Sequence, residues 1–135
     1  MSKQIITIAA AVILNAQNEI LLVRKKSTQF FMHVGGKLEV GEAPEQALKR
    51  EIFEETGATV KILSKIGVFN TIAANEKDSL LISHLYHAKL LNEPKIQAEL
   101  AEMKWVNIDD CNLQLAPLTE QISIPWCKQF IHHAV

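Results

Sequence analysis

The sequence predicts a mixed α/β (α+β) fold in which a mixed β-sheet is sandwiched between helices. Short apolar, β-branched runs flank one strongly predicted central helix, and a second helix is predicted near the C-terminal end. The 135 residues are enough to bury one hydrophobic core. No repeat, low-complexity tract or Pro/Gly/Ser-rich linker divides the chain, so we interpret residues 1–135 as a single domain.

The first elements are two predicted strands, at about residues 4–14 and 19–25. The polar stretch 15–18 separates them, and two apolar runs around an Asn-containing turn are typical of a β-hairpin. The first run is shorter than the ~20 residues that cross a membrane, and its β-branched residues favour a strand over a signal peptide. Cys111 and Cys127 form neither a metal-ligand pattern nor a disulfide framework. These features predict a cytoplasmic protein with reduced thiols and no membrane partner.

The central helix is predicted between Pro44, which suits a first helical turn, and Gly57, which suits the position just past a helix end. A Gly-containing loop from His33 to Glu42 precedes it. The elements predicted after it are strands Thr59–Ile66, Gly67–Ile72 and Leu80–Leu91 with a turn at Asn75–Asp78, a strand at Met103–Ile108, and a closing helix Leu118–His133 that Pro125 limits or kinks.

Charge excludes one class of partner. The formal net charge is −1, so no basic field gathers a long nucleic acid, whereas a single nucleotide remains compatible.

The central helix carries an unusual cluster of glutamates. Glu51, Glu54 and Glu55 fall within an arc of about 100°, where like charges repel one another. Two interpretations remain open: a solvent-exposed face, which is the common case, or a site for a hard cation such as Mg²⁺, which prefers oxygen ligands. In the second case Arg50 would pair with a carboxylate and orient it.

The segment that contains this cluster resembles the Nudix box. That pattern is Gly, five residues, Glu, seven residues, Arg-Glu, an aliphatic residue, any residue, Glu-Glu, any residue, Gly and an aliphatic residue. The matching positions are Gly36, Glu42, Arg50, Glu51, Ile52, Glu54, Glu55 and Gly57. Small Ala58 stands at the last aliphatic position, and Val34 replaces a proline that many relatives have before the two glycines.

The resemblance to Nudix hydrolases implies a Mg²⁺- or Mn²⁺-dependent enzyme that cleaves a phosphoanhydride in a nucleoside diphosphate linked to another group. It implies catalytic roles for Arg50, Glu51 and Glu54, with Glu51 as a metal ligand or the general base. Glu42 would hold the loop, and the carbonyl of Gly35 or Gly36 would add a ligand. The implied metal ligands are Gly36, Glu51, Glu54, Glu55 and Glu99.

The ligand outside the box is the least determined of these. Glu93, Glu99 and Glu102 are the acidic candidates, and Glu99 is preferred because it lies shortly before the predicted strand Met103–Ile108. All three also fit ordinary surface charges.

Three basic residues near the box are candidates for binding phosphate oxygens: Arg24, Lys25 and Lys37. Arg24 is favoured because a guanidinium binds phosphate through two hydrogen bonds.

Marks of individual subfamilies are mostly absent. Ile72, Ala73 and Ala74 occupy the region where relatives that act on ADP-ribose often carry a proline. By elimination, a nucleoside or deoxynucleoside triphosphate is the expected substrate. A non-catalytic nucleotide-binding domain and a hydrolase of another substrate such as ADP-ribose are the alternatives. A second copy of the chain is left open as a partner.

Overall fold

A computed structural model describes residues 4–73 and 78–133. In chain order its elements are strands β1 (Gln4–Ile13), β2 (Glu19–Lys25) and β3 (Val34–Lys37), helix α1 (Pro44–Thr56), strands β4 (Val60–Ile72), β5 (Ser79–Leu90) and β6 (Leu100–Asn107), and helix α2 (Ile124–His133), which continues a π-helical turn at Thr119–Ser123.

The strands form two sheets. The larger has the order β3-β1-β5-β4, with β1 parallel to β5 and the other pairs antiparallel. The smaller is the antiparallel pair β2 and β6. A mixed sheet with helices on both faces is therefore confirmed.

The hairpin prediction for the first two strands is wrong. β1 and β2 lie in different sheets, and they pair only near the turn, through a bridge between Leu14 and Ile20 and hydrogen bonds between Asn15 and Glu19. Four consecutive residues of β2, 20–23, are buried, so both faces of this strand are covered. Each of the two strands therefore lies inside its own layer and pairs with a strand distant in sequence.

β1 separates two hydrophobic clusters because successive side chains of a strand point to opposite faces. On one face Ala9, Ala11 and Ile13 pack with residues of α1, and on the other Ala10 and Val12 pack with residues near and within α2. The contributing helix residues are Ala47, Leu48 and Ile52 on the first face and Ile124 and Cys127 on the second.

Two further predictions of local structure need correction. Part of the expected loop from His33 to Glu42 forms β3, which pairs with β1. The two strands expected over 59–72 are one strand, β4, which continues through register shifts at Ile62/Ser64 and Lys65/Gly67. The closing helix is confirmed, and its first part, Thr119–Ser123, is a π-helical turn. Residues 74–77, which carry most of the turn expected at Asn75–Asp78, lie outside the described residues.

Candidate active site

Helix α1, which carries the glutamates, has well-defined ends. The Ala43 N–H donates to the Gln46 side-chain oxygen at 3.0 Å, and Gly57 ends the helix with a left-handed φ of 70°. The predicted helix ends are confirmed. The glutamate side chains differ in exposure, however: 20% for Glu51 and 52% for Glu54, whereas Glu55 as a whole residue is 7% exposed. They do not form one solvated face.

Arg50 connects the acidic residues of the box. Its Nε and Nη2 donate to the two carboxylate oxygens of Glu42 at 2.7 and 2.9 Å. Its Nη1 donates to Glu51 at 2.9 Å and to Glu54 at 3.3 Å, and Nη2 also donates to the Lys37 carbonyl at 3.0 Å. The Arg50 guanidinium holds the pKa of Glu42 well below its usual range. Arg50 thus balances charge and ties the loop before α1 to the helix.

Glu55 is a buried carboxyl group at the centre of the cluster. Its Oε1 accepts the Gly35 N–H at 3.5 Å. Burial raises the pKa of Glu55 to about 7; the charge of Lys25 opposes this shift, and the charges of Glu51 and Glu99 add to it. The Glu55 carboxylate would therefore be stabilised by a cation bound beside it.

Gly36 allows a close approach between β3 and α1. A Cβ atom added there would lie 2.4 Å from Cδ of Glu51 and 2.5 Å from its Oε2. Glu51 therefore has one oxygen held by Arg50 while the other faces the Gly36 backbone. At Gly35, whose φ is +142°, an added Cβ would lie 2.2 Å from the Ala9 carbonyl oxygen, so glycine is needed there for pairing with β1.

The loop before β6 brings Glu99 to the same cluster. The Gln97 N–H donates to the Glu55 carbonyl at 2.9 Å, and the Lys26 N–H donates to the Glu99 carbonyl at 2.9 Å. Of the three acidic candidates outside the box, Glu99 is the one whose charge affects the pKa of Glu55. The other two lie elsewhere: Glu102 pairs with Arg24 at 2.8 Å, and Glu93 lines a separate groove beside Trp105.

The basic candidates also lie in different places. Lys25 and Lys37 line a cleft next to the two glycines. Arg24 instead donates to Glu102 at 2.8 Å and to the Thr28 carbonyl at 2.6 Å. The proposed role of Arg24 in phosphate binding stays a prediction.

That cleft has a free volume of about 100 Å³ and lies on the α2 side of the larger sheet. Its floor is formed by residues of β1 and β5, one wall by Ala116 to Thr119, and one end by Gly35 and Gly36. The apolar residues that line it include Ile6, Ile8, Ala10, Met32, Ile72 and Leu81. A mostly apolar cleft with a few polar groups at one end is typical of a small-molecule site.

Sequence reasoning missed a polar network in the cleft wall. His33 is buried; its Nδ1 lies 3.2 Å from Thr119 Oγ1, and its Nε2 contacts Ser123 Oγ. Burial lowers the pKa of His33 to about 3, so the imidazole is neutral at neutral pH. The available signal was two hydroxyl residues four apart just before Pro125.

The donor set fits a hard divalent cation. Within residues 4–73 and 78–133 no three His, Cys, Asp or Glu side chains are arranged to hold a metal ion as they stand. Arg50 pairs with Glu51 and Glu54 instead. Burial is the main cause of the raised pKa of Glu55, but the charges of Glu51 and Glu99 add to it, so carboxylate oxygens of the kind that Mg²⁺ prefers lie within electrostatic reach of Glu55.

No helix in the described parts of the chain is long and apolar enough to cross a membrane. Cys111 and Cys127 are free thiols.

A family model and several known proteins match this chain. The model of the NUDIX domain matches residues 5–127. A Bacillus subtilis (strain 168) protein provisionally named 8-oxo-dGTP diphosphatase is 30% identical over 109 residues, which cover 81% of this chain and 71% of the relative. The 8-oxo-dGTP diphosphatase of Haemophilus influenzae is 46% identical over 61 residues, 42% of this chain and 45% of the relative. The ADP-ribose pyrophosphatase of Methanocaldococcus jannaschii is 42% identical over 62 residues, 44% of this chain and 37% of the relative.

Solved structures share the fold. The crystal structure of a MutT NUDIX hydrolase from Burkholderia pseudomallei superposes with a TM-score of 0.80 at 25% identity, covering 91% of this chain and 98% of that one. Nudix hydrolases generally use divalent metal ions. The family match, the arrangement of the box residues and the shared fold lead to one conclusion: the chain belongs to the NUDIX domain family and is a hydrolase that acts on acid anhydrides.

Proposed function

We propose that this chain is a Mg²⁺-dependent pyrophosphohydrolase of nucleoside or deoxynucleoside triphosphates in the cytoplasm. One observation carries the proposal: the carboxylate cluster and the apolar cleft meet at the same two glycines. Gly35 donates to Glu55 and Gly36 lies against Glu51, and both glycines line the cleft. A ligand with an apolar ring in the cleft would therefore place its phosphates beside the carboxylates.

The lining of the cleft supports a nucleoside as the ligand. Its floor of small and aliphatic side chains suits the flat face of a base. Lys25 and Lys37 line the end nearest the glycines, where they would attract phosphate oxygens.

We assign the metal to Glu54, Glu55, Glu99 and the Gly36 carbonyl, with Glu51 at its edge. A divalent cation held there would neutralise charge on the phosphate oxygens. Mn²⁺ has similar ligand preferences and is expected to substitute for Mg²⁺.

Within this arrangement Glu51 accepts the proton of the attacking water. The Arg50 N–H donates to one Glu51 oxygen and fixes the orientation of the carboxylate, while the other oxygen faces Gly36. Water attack on phosphorus would release a nucleoside monophosphate and pyrophosphate from a triphosphate. Arg50 contributes by holding Glu42, Glu51 and Glu54 in place.

A nucleotide panel tests the proposal. Purified protein with Mg²⁺ is offered ribo- and deoxyribonucleoside triphosphates, 8-oxo-dGTP and ADP-ribose, and products are separated by chromatography. Relatives named for 8-oxo-dGTP and for ADP-ribose justify including both. We expect monophosphate and pyrophosphate from a triphosphate, with ¹⁸O from labelled water in one of these two products. Preference for ADP-ribose would overturn the substrate class, and tight nucleotide binding without turnover would favour the non-catalytic domain.

Two variants of α1 sharpen this test. Glu51→Gln keeps the shape of the side chain and removes the proton acceptor, so turnover should fall at least about 100-fold, as is typical of a lost general base. Glu45→Gln is the matched control, because Glu45 lies on the same helix and is exposed. Equal turnover by both variants would refute the role of Glu51.

A further inference from the structure

The network around His33 is the most completely buried polar cluster beside the cleft. Thr119 and Ser123 are fully buried and His33 is 5% exposed. A neutral imidazole has one donor and one acceptor nitrogen, and a hydroxyl can serve either, so both ring nitrogens of His33 are satisfied. Losing either hydroxyl would leave a buried ring nitrogen without a partner.

The turn that carries the two hydroxyls has an unusual geometry. Residues 119–123 form a π-helical turn in which the Ile124 N–H donates to the Thr119 carbonyl. Pro125 follows, and in a regular α-helix its ring would clash with the carbonyl of Gln121 four residues earlier. The wider π-helical turn presents both Thr119 and Ser123 to the one imidazole.

The segment that contains His33 touches the cleft wall and the carboxylate site. Phe31 exchanges backbone hydrogen bonds of 2.8 and 2.9 Å with Gln114 and Ala116. Two residues after His33, Gly35 donates to Glu55. Two extended residues span only about 7 Å. The position of the wall and the position of the carboxylates are therefore linked through one short, extended piece of chain.

We infer that His33 is a positioning residue that keeps the cleft wall, residues 116–119, at a fixed distance from the carboxylate site on α1. This inference rests on the proposed function, because that distance matters only if a nucleoside occupies the cleft while its phosphates reach the carboxylates. His33 touches no reacting atom in this scheme. It fixes the distance between the two parts of the site.

The main variants that test this inference change residues of the π-helical turn and leave the Nudix box unchanged. Ser123→Ala and Thr119→Val each remove one hydroxyl contact of His33. Ser83→Ala is the matched control: Ser83 is also fully buried, and its hydroxyl has no hydrogen-bond partner among the described residues. His33→Asn and His33→Gln place an amide near Nδ1 and near Nε2 respectively, so each should recover part of the effect of His33→Ala.

The first measurement needs no turnover. Amide hydrogen exchange of Gly35 and Gly36 should be about 5- to 30-fold faster in Ser123→Ala and Thr119→Val than in Ser83→Ala, which corresponds to the loss of one buried hydrogen bond. Affinity for Mn²⁺ in the absence of nucleotide, measured by electron paramagnetic resonance, should stay within about 2-fold, because the carboxylates themselves are untouched. Unchanged exchange at both glycines would overturn the inference.

The second measurement uses catalysis. With the best substrate, kcat per folded molecule at 25 °C should fall about 5- to 30-fold in the two turn variants, with a smaller change in KM. Unchanged kcat with lower thermal stability would mean that His33 is merely structural and would overturn the inference. If the unmodified protein turns over no nucleotide, the proposed function fails, and the exchange measurement still decides whether wall and loop are linked.

Discussion

Replacing Glu55 by Gln should make the metal-free protein more stable at neutral and alkaline pH. Glu55 is 7% exposed, and burial raises its pKa from 4.5 to about 7. A raised pKa in the folded state means that stability present below pH 4.5 is lost as pH rises through about 7. At about 1.4 kcal/mol per pKa unit, the ionised carboxylate costs on the order of 3 kcal/mol above pH 8. Gln still accepts the Gly35 N–H and carries no charge.

Urea unfolding in EDTA, followed by the fluorescence of Trp105 and Trp126, measures this difference. The free energy of unfolding of Glu55→Gln should equal that of the unmodified protein at pH 4.5 and exceed it by roughly 2–3 kcal/mol at pH 8. With Mg²⁺ at 100 times its Kd the unmodified protein should gain about 2.7 kcal/mol and the variant little. Glu45→Gln, on the exposed part of the same helix, controls for the loss of a helical charge. A variant less stable than the unmodified protein at pH 8 would show that Glu55 has a compensating partner in the fold, and the reasoning would fail.

The remaining predictions address the metal, the close approach of β3 and acid stability. Activity should vanish in excess EDTA and return with Mg²⁺ or Mn²⁺; full turnover in EDTA would refute a metal mechanism. Gly36→Ala should reduce turnover at least about 10-fold with little unfolding, because its Cβ would meet the Glu51 carboxyl at 2.4 Å, and full activity of this variant would contradict the close approach of β3 and α1. The pKa of His33 is lowered by burial to about 3, so protonation favours the unfolded state and stability should fall as pH drops from 6.5 toward 3. His33→Gln should flatten that slope in urea titrations, and an unchanged slope would contradict the assignment.

The central helix could be predicted from sequence because its signals are local. Pro44 and Gly57 act through backbone geometry at the helix ends, and the spacing of the glutamates places them on the helix before any partner is known. The pairing of β2 with β6 could not be predicted in the same way. It depends on which of several buried strands lies beside residues 20–23, and the local turn between residues 15 and 18 favours a hairpin that the chain does not form.

The candidate site likewise combines features that the sequence predicts with features that depend on the fold. The spacing of the box brings Arg50, Glu51 and Glu55 together within one helix, which periodicity alone predicts. The environment of each carboxylate depends on distant residues, so the burial of Glu55 and the pairing of Arg24 with Glu102 appear only in three dimensions. His33 and its two hydroxyl partners lie 86 and 90 residues apart in sequence, and no local pattern links them.

The ion pairs of Arg50 have a consequence for the folding of the metal-free protein. Its guanidinium already donates four hydrogen bonds to Glu42, Glu51 and Glu54, so part of the negative charge of the acidic helix is balanced without a divalent ion. Many small metal proteins are unfolded until they are loaded. Here the guanidinium acts as an internal counter-ion for these carboxylates. If the proposed metal role holds, the chain would therefore be able to fold before a divalent ion binds.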